Sequence, residues 1–398
     1  MDYSLLVGLV PEPGARVDFA GCLQIIPDLA ALATTPQDPI YHAEGDVWIH
    51  TKMVVEAMIN SQAYAGASKD DRFILFMACL LHDISKPSTT VIDESTGKIG
   101  QPGHSRRGAV DTRILLWRAG VPFAMRETIC RIINVHQLPF FALAGDRRGT
   151  TPEFTITKLS WELPLWMLCA VATADMQGRT YHGKQAVLDD IEVFRLLVEE
   201  MGALNAPVPF TDDYTRQRYF DGANVQPQFS LYRERVGSQV ILMSGMPASG
   251  KNTWVEQNVP HLPVVSFDDS RADLGLGHGD SERSVAHHTI DMAKDLLRAG
   301  KPFVWNATHL SDQMRSKSLT LLHNYHADVR IVYLEHPEQV IMTRNDKRDT
   351  SLRNKDITKM LFHWEVPLPW EASKVEYIVE ESKPRKTKHR ENDQPLGR

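Results

Sequence analysis

The first 205 residues carry apolar side chains at helical spacing, and no long stretch of them alternates between apolar and polar positions as a strand does. Asp46 and Ser68 are each predicted to cap a helix. Further helices are predicted from His104 to Gly120, from Pro122 to His136, and over 159–176 and 185–201. The helix over 159–176 is expected to continue through Pro164. Residues 1–205 are therefore predicted to form an all-α bundle.

The pattern changes after Gly202. Residues 206–235 are rich in Pro, Asn, Asp and Gln, which predicts a linker with one short helix. Beyond it, the apolar runs QVILMSG, PVVSF, PFVWNAT, DVRIVYLE and VEYIV alternate with helical stretches near 251–258, 281–299, 311–325, 337–348 and 356–363. This alternation predicts a parallel sheet covered by helices over 236–385. The charged, apolar-poor segment 386–398 is predicted to be disordered.

The composition excludes some classes of protein but does not indicate a function. The 398 residues are 42% hydrophobic and 24% charged, and the net charge of -6 is not that of a basic nucleic-acid binder, although a local basic groove is compatible with it. The first residues lack the pattern of a signal peptide, and no apolar run is long enough to span a membrane. Four scattered cysteines without a C-x-x-C pair favour buried thiols in a reducing cytoplasm.

A phosphate-binding pattern, G-x-x-x-x-G-K, lies directly after the apolar run QVILM. Gly245, Ser249, Gly250, Lys251 and Thr253 belong to a loop that opens a predicted helix. The backbone N–H groups of such a loop surround a nucleotide's phosphates, and its lysine contacts the β and γ phosphates. A glycine-rich turn without a ligand is the alternative, and the strand, the spacing and the lysine together favour an ATP site.

Asn252 departs from the pattern, because a serine or threonine usually follows the lysine and binds Mg²⁺. An amide oxygen is also a hard ligand, so Asn252 can contact Mg²⁺ directly or through water. Thr253 comes one residue too late and points about 100° around the helix. The sequence therefore predicts an intact nucleotide site with a substituted metal contact.

Charged residues after the second predicted strand and on a later predicted helix fit phosphoryl transfer. The second strand runs into SFDDSR, where Asp268 is a candidate base and Arg271 a candidate contact to the acceptor or the transferred phosphate. Farther on, TRNDKR places Arg344 and Arg348 four residues apart on a predicted helix, so they would share a face and cover the phosphates. Taken alone, these arginines are better explained by a solvated helix face, but together with the loop and D-D-x-R they favour contact with phosphate.

Together, G-x-x-x-x-G-K, D-D-x-R and R-N-x-K-R resemble the P-loop 5′-OH polynucleotide kinases over residues 236–385. The resemblance implies that Lys251 contacts phosphate, Asp268 is the general base and Arg271 clamps the acceptor phosphate. It also implies that Arg348 stabilises the transferring phosphate with Arg344 as its partner. Small-molecule kinases and zeta-type toxins carry looser versions of the same motifs.

A second set of residues is typical of a metal site. Its members lie on or at the ends of successive predicted helices: His50, His82, Asp83, His104, His136 and Asp175. Imidazole and carboxylate ligands suit Mn²⁺, Fe, Co²⁺, Ni²⁺ or Zn²⁺. A single histidine on an apolar helix is more often a core residue, but six such groups in this order favour a metal centre.

The order H…HD…H…H…D resembles that of the HD phosphohydrolase superfamily. The resemblance implies that His50, His82, Asp83 and Asp175 hold the principal metal, with Asp83 central to catalysis. His104 and His136 then match a second metal site, as in members where two metals act on one phosphoester.

The opening HAEGDVWIHT, together with HDISKP, resembles the HD domain attached to bacterial tRNA nucleotidyltransferases over about residues 17–205. That domain is a 2′-phosphatase and 2′,3′-cyclic phosphodiesterase. His42 and Glu44 would line its pocket without a predicted ligand role. Further candidates for contact with the substrate phosphate are Lys86, Arg106, Arg107 and Arg179.

The two halves in this order resemble the bacterial HD-Pnk RNA end-healing enzymes. The resemblance implies removal of 2′, 3′ or 2′,3′-cyclic phosphate by the first half, and transfer of the ATP γ-phosphate to a 5′-OH, with Mg²⁺, by the second. Its implied partners are RNA or DNA ends and, functionally, an RNA ligase. Two alternatives remain open: a small-molecule or nucleoside kinase fused to an HD nucleotide phosphohydrolase, and a regulatory module in which ATP gates the HD half.

Overall fold

The computed structural model describes residues 2–141, 143, 150–233, 236–277, 280–348 and 352–381. Its helical part contains α1 (Tyr3–Val7), α2 (Phe19–Ile25), α3 (Val47–Ile59), α4 (Gln62–Ala65), α5 (Lys69–Leu81), α6 (Lys86–Thr89), α7 (His104–Ala119), α8 (Phe123–Val135), α9 (Pro152–Ser160), α10 (Leu165–Gln177) and α11 (Lys184–Glu200). A short antiparallel hairpin, β1 (Val91–Ile92) and β2 (Ile99–Gly100), is added to it. None of the described helices has the length and apolar character needed to cross a bilayer.

The predicted caps are present in the helical part. The carboxylate of Asp46 accepts a hydrogen bond from the N–H of Ile49 at 2.8 Å, and the hydroxyl of Ser68 accepts one from the N–H of Asp71 at 3.1 Å. Gly120 ends α7 in the left-handed region at φ 76°. Helix α5 is buried along most of its length, and α3, α8 and α10 pack around it. The residues that directly follow α5 therefore lie in the core.

The helix predicted over 159–176 is wrong as a single element. Helix α9 ends at Ser160 and α10 begins at Leu165, with Pro164 as its N-cap. Proline lacks the N–H that an uninterrupted helix needs and clashes with the preceding turn, so the chain breaks there. The hairpin β1–β2 was not predicted because strands of two residues are too short to show alternation.

The second part is a five-stranded, all-parallel sheet with helices on it. Its elements are α12 (Asp213–Phe220), β3 (Gln239–Gly245), α13 (Lys251–Asn258), β4 (Val264–Ser266), α14 (Phe267–Leu274), α15 (Glu282–Arg298), β5 (Phe303–Asn306), α16 (Asp312–Asn324), β6 (Asp328–Glu335), α17 (Glu338–Asp346), α18 (Asn354–Met360) and β7 (Lys374–Val379). The strand order is β4-β5-β3-β6-β7, so β3 and its phosphate-type loop lie at the centre. The predicted fold class, a helical bundle followed by a parallel sheet covered by helices, is confirmed.

One helix of this part was not predicted, and one local prediction is wrong. The segment after β4 was not among the predicted helical stretches, but Ser266 caps α14 by accepting from the N–H of Asp269, and Asp268 and Arg271 lie on that helix. Arg348 was expected on the same helix face as Arg344, but α17 ends at Asp346. The chain turns away there because the buried Asn345 amide donates to the carbonyl of Leu352.

The predicted linker contains α12 and is packed rather than bare. Phe210, Tyr219 and Phe220 pack against one another, Tyr219 stacks on Phe154 of the helical part at 5.2 Å, and Phe220 contacts Trp370 of the sheet part at 6.0 Å. This aromatic cluster joins the two parts. The predicted disordered segment 386–398 lies outside the described residues.

The two parts also share a buried ion pair. The guanidinium of Arg126 on α8 donates to both carboxylate oxygens of Glu335 at the end of β6, each at 2.7 Å, and both side chains are almost fully buried. The hydroxyl of Tyr333 donates to the same carboxylate, and the indole N–H of Trp364 donates to that hydroxyl. Trp117 of α7 packs edge-on against Trp364. The two parts are therefore held together by a polar network inside an apolar interface.

A cleft of about 720 Å³ opens beside this interface. Its guanidinium groups are paired, Arg113 with Glu127 and Arg315 with Glu371. None of the residues predicted for the metal centre or the phosphate loop lines this cleft.

We expect Arg126→Ala to lower the free energy of unfolding by about 3–5 kcal/mol, because it leaves the buried carboxylate of Glu335 without its countercharge. Chemical denaturation measures the change. The matched control is Arg118→Ala, which removes an exposed ion pair to Glu338 across the same interface and should cost less than about 1 kcal/mol. Equal effects of the two substitutions would contradict the buried network as the main polar link.

Candidate functional site

The predicted metal-centre residues meet in the core of the helical part. His50 lies on α3, His82 and Asp83 directly follow α5, His104 begins α7, His136 follows α8, and Asp175 lies on α10. The imidazole rings form a row in which neighbouring centroids are 4.8, 5.3, 5.3 and 5.8 Å apart, in the order His42, His50, His82, His136 and His104. Three helices, the ends of two others and the loop that carries His42 thus bring residues 42 to 175 into one cluster.

Two buried carboxylates face this row. Asp83 Oδ2 lies 3.1 Å from His82 Nε2, and Asp83 Oδ1 lies 3.6 Å from His104 Nε2. Asp175 Oδ1 lies 3.1 Å from His50 Nε2, and Asp175 Oδ2 lies 3.8 Å from His136 Nε2. The same ring nitrogen of all four imidazoles therefore points at a carboxylate.

The other ring nitrogen of these histidines is held by a hydrogen-bond acceptor. Nδ1 of His82 lies 2.8 Å from the carbonyl of Cys79, Nδ1 of His136 lies 2.7 Å from that of Ile133, and Nδ1 of His104 lies 2.7 Å from that of Gln101. A carbonyl only accepts, so Nδ1 carries the proton and Nε2 keeps its lone pair in the neutral ring. This is the arrangement in which protein imidazoles bind metals.

Electrostatics favour charged carboxylates, and they favour neutral imidazoles at His104 and His136. At His82 burial also opposes charge, but the neighbouring carboxylates of Asp83 and Asp175 raise the pKa. Burial lowers the pKa of His136 to about 3 and also lowers the pKa of His104. Burial opposes charge on Asp83 and Asp175 as well. The charges of His82 and Lys86 nevertheless hold the pKa of Asp83 well below its ordinary value. For Asp175, the guanidinium of Arg179 does the same. Deprotonated ligands of both kinds are what a divalent cation requires.

The cluster passes a test for metal fit. Among the described residues, His136 Nε2 and Asp83 Oδ1 are buried without a hydrogen-bond partner. His50 Nε2 and His82 Nε2 approach to 3.3 Å. Orphaned buried donors and acceptors are rare in folded proteins, and a bound cation satisfies them. Two groupings of the predicted ligands are close enough to share an ion: His50, His82 and Asp83, and Asp83, His104 and His136. His42, Glu44 and His50 form a third grouping of this kind.

Glu44 is a functional candidate that the sequence analysis named without a role. Its Oε1 lies 2.8 Å from His42 Nδ1 and 3.1 Å from His50 Nδ1, and its Oε2 accepts from the N–H of Thr180 at 2.7 Å. Glu44 therefore orients His50 as a carbonyl orients the other histidines. The spacing H-x-E before the first ligand is the only sequence signal for it.

The basic residues near the cluster divide into two kinds. Lys86 is buried and contacts Asp83 Oδ2 at 2.7 Å and Gln37 at 2.7 Å, and Arg179 donates to both oxygens of Asp175. These two neutralise the ligand carboxylates. Arg106 instead pairs with Glu365 of the sheet part and Arg107 with Asp111, at more exposed positions.

The G-x-x-x-x-G-K loop at residues 245–251 has the backbone conformation that its sequence predicts. Gly245 adopts φ 143°, and a Cβ there would lie 2.4 Å from the carbonyl oxygen of Leu334. Gly250 adopts φ 91°, and Ala248 is also left-handed at φ 60°. The hydroxyl of Ser249 is buried in this loop and has no hydrogen-bond partner among the described residues. These features leave the loop's backbone groups available to an anion at the start of α13.

Lys251 is buried beneath this loop. Its ammonium group donates to the carbonyls of Gly245 at 2.9 Å and Met246 at 2.8 Å. Burial lowers its pKa to about 7, and the nearby charge of Arg348 contributes in the same direction. The loop thus holds a lysine whose charge a bound anion would restore.

Asn252 and Thr253 are exposed on the first turn of α13. Asn252 Oδ1 accepts a hydrogen bond from the amide of Asn306 at 2.9 Å, and Asn306 is the last residue of β5, beside β3 in the sheet. The amide predicted to contact Mg²⁺ therefore has a neighbour that the sequence analysis missed. Pairing of Asn252 with a strand 54 residues away leaves no local signal in the sequence.

The remaining predicted residues surround the loop. Asp268 is exposed and contacts Arg271 at 3.1 Å, and Arg271 also pairs with Glu282 of α15 at 2.8 Å. A Cβ at Gly250 would lie 3.6 Å from Nη1 of Arg344, so that guanidinium borders the loop. Arg348 lies near enough to influence Lys251.

Two family models match this chain, one for each part. Residues 47–159 match an HD domain and residues 240–366 match an AAA domain. The helical part thus carries a segment similar to an HD domain, and the sheet part carries a segment similar to an AAA domain with a P-loop. HD domains bind divalent metals, which agrees with the histidine and aspartate groupings of the helical part.

Curated relatives match only part of the chain. A multifunctional CCA protein of Pasteurella multocida is 28% identical over 186 residues, covering 42% of this chain and 40% of the relative. A multifunctional CCA protein of Halorhodospira halophila is 34% identical over 147 residues, covering 36% of this chain and 32% of the relative. The chain thus spans less than half the length of these relatives.

Solved kinase structures are also similar in part. A sugar kinase from Janibacter is 18% identical with a TM-score of 0.27, covering 36% of this chain and 84% of that one. A gluconokinase from Sinorhizobium meliloti is 15% identical with a TM-score of 0.26, with the same coverage.

We expect Asp83→Asn to weaken metal binding by more than about tenfold, because it removes a charged ligand from both ligand groupings. Metal content after dialysis, measured by plasma mass spectrometry, reports the change. Asp71→Asn on the exposed start of α5 is the matched control and should retain the wild-type content. Unchanged metal content in a folded Asp83→Asn protein would contradict the ligand assignment.

We expect ATP binding to take up a proton above about pH 7. Free Lys251, with its pKa of about 7, loses its proton there, whereas the phosphates of bound ATP favour the ammonium form. ATP affinity should therefore fall as the pH rises from 7 to 9. Calorimetry in buffers of different ionisation enthalpy measures the uptake. Lys251→Arg keeps its charge throughout and should show no uptake at this site, and an undiminished uptake in that variant would assign it to another group.

Proposed function

We propose that this protein repairs broken nucleic-acid ends, RNA ends in particular, with two separate phosphate chemistries. The HD domain removes 2′, 3′ or 2′,3′-cyclic phosphate, and the P-loop domain transfers the γ-phosphate of ATP to a 5′-hydroxyl. The observation that carries the proposal is the convergence of four imidazole Nε2 atoms on two buried carboxylates, in a chain that also holds a phosphate loop. The similarity of part of the chain to multifunctional CCA proteins supports a nucleic-acid or nucleotide substrate.

In the HD domain, His50, His82, Asp83 and Asp175 would hold one divalent cation, and His104 and His136 with Asp83 a second. Bound cations supply Lewis-acid activation of the phosphoester and of the attacking water. The residues of the chain keep these ligands deprotonated. Lys86 and Arg179 offset the charge of the carboxylates, and Glu44 fixes the ring of His50. Arg106 and Arg107 lie at more exposed positions, where a polyanion can reach them.

In the P-loop domain, the loop's N–H groups and Lys251 would bind the β and γ phosphates of ATP. Asp268 accepts the proton of the 5′-hydroxyl, whose oxygen attacks the γ-phosphorus while the bond to the β–γ bridging oxygen breaks and ADP leaves. Arg271 binds the acceptor strand's phosphate, and Arg344 and Arg348 offset charge on the transferred group. The exposed position of Asp268 suits a large acceptor such as a polynucleotide end.

We expect one RNA oligonucleotide with a 5′-hydroxyl and a 2′,3′-cyclic phosphate to be changed at both ends. With ATP, Mg²⁺ and Mn²⁺, the wild type should add phosphate at the 5′ end and open or remove the cyclic phosphate, as followed by mass spectrometry. Lys251→Ala should lower 5′ phosphorylation by more than about hundredfold and leave the other end's reaction intact. Asp83→Ala should do the reverse.

The control is the same oligonucleotide with a 5′-phosphate and a 3′-hydroxyl, which should stay unchanged. Loss of both reactions in either folded variant would contradict the two-site proposal. ATP consumption without a 5′ product, together with phosphorylation of a nucleoside or sugar, would favour the small-molecule kinase instead. An equivalent 5′ reaction on DNA would broaden the acceptor beyond RNA.

A further inference from the structure

Two loops meet at one end of the histidine row. Residues 38–45 carry His42 and Glu44, and residues 178–183 follow α10. The N–H of Ala43 donates to the carbonyl of Thr180 at 3.0 Å, and the N–H of Thr180 donates to Glu44 Oε2 at 2.7 Å. Because Glu44 also holds His50, these loops are fixed relative to the metal ligands.

An aromatic pair lies on top of these loops. The rings of Tyr41 and Tyr181 are 5.4 Å apart and inclined by 47°. Tyr41 keeps 44% of its surface exposed, and its neighbour Ile40 keeps 69%. Tyr181 also packs against the apolar cluster around Phe140. Tyr41 thus rests on a supported ring with its outer side in solvent.

This aromatic surface adjoins the point where the cluster reaches solvent. The ends of the histidine row, His42 and His104, are each 9% exposed, whereas the three histidines between them are at most 1% exposed. Tyr41 immediately precedes His42, so their Cα atoms are about 3.8 Å apart. Arg179, which binds Asp175, immediately precedes Thr180 and Tyr181. A phosphoester entering at the His42 end would pass Tyr41.

We propose that Tyr41, supported by Tyr181, is the stacking surface for the terminal nucleobase of the HD domain's substrate. This inference rests on the proposed function of the HD domain and adds how a nucleotide end is selected. Aromatic rings accept any base through its π face, and a cationic neighbour such as Arg179 suits the phosphate attached to the same nucleotide. A protein partner is disfavoured because the patch is small and adjoins a charged, phosphate-type site.

The test compares two substrates of the metal-loaded full-length protein. Adenosine 2′,3′-cyclic monophosphate carries a base, and glycerol 1,2-cyclic phosphate has a similar cyclic phosphodiester without one. We expect Tyr41→Ala to raise KM for the adenosine substrate about tenfold, with kcat retained, and to leave hydrolysis of the glycerol substrate unchanged.

Two further variants separate stacking from other roles. Tyr41→Phe keeps the ring and should retain the wild-type KM, so loss of the hydroxyl alone has no effect. Tyr232→Ala removes a tyrosine that is 84% exposed in the segment between the domains, and should change neither substrate.

Each outcome decides the proposal. Equal impairment of both substrates in Tyr41→Ala would overturn it, because Tyr41 would then support the loop and not the base. A wild type that opens both substrates with equal kcat/KM would also overturn it, while the proposed phosphodiesterase activity would stand.

If the wild type opens neither substrate, the proposed activity fails and binding decides the stacking surface. Calorimetry then compares adenosine 2′-monophosphate with inorganic phosphate. Tighter binding of the nucleotide that Tyr41→Ala abolishes would support the surface, and equal binding would overturn it.

Discussion

Asp83 and Asp175 are carboxylates enclosed in an apolar helical core, and most features of the HD domain follow from the cost of keeping that charge away from water. Lys86 and Arg179 each lie within 3 Å of one carboxylate and supply the countercharge. The imidazoles of His104 and His136 stay neutral because burial lowers their pKa values, and their Nδ1 atoms face carbonyl acceptors. Carboxylate oxygens and Nε2 atoms therefore converge on one buried point, which is the arrangement that holds a cation.

The P-loop domain shows the opposite arrangement at Lys251, a buried cation in the phosphate loop. Lys251 has no carboxylate partner among the described residues, and two backbone carbonyls take its hydrogen bonds instead. Its ammonium is consequently less basic than usual, with a pKa of about 7, and its full charge returns when an anion occupies the loop. The HD domain thus offers carboxylates to a cation, and the P-loop domain offers a lysine of lowered pKa to phosphate.

Local features were predictable because they depend on neighbours in the chain. Caps at Asp46 and Ser68, the left-handed end at Gly120 and the strand-loop-helix at Gly245 were all predicted and are present. The predictions failed where distant contacts decide. Asn306 meets Asn252 only through the parallel pairing of β3 and β5, and the return of the chain to Asn345 ends α17 before Arg348. The residue roles in both sites stay predictions until they are measured.

One strand, β6, connects the interface between the domains with the phosphate loop. Glu335, which binds Arg126, ends β6, and His336 follows it at once. A Cβ at Gly250 would lie 3.9 Å from His336 Nε2, so the residue beside the interdomain ion pair also borders the phosphate loop. Packed interiors have low compressibility. A displacement of Glu335 would therefore also displace His336, the residue that borders the loop. The helical domain therefore contacts the strand whose end borders the P-loop, and the buried ion pair fixes that end of the strand against α8.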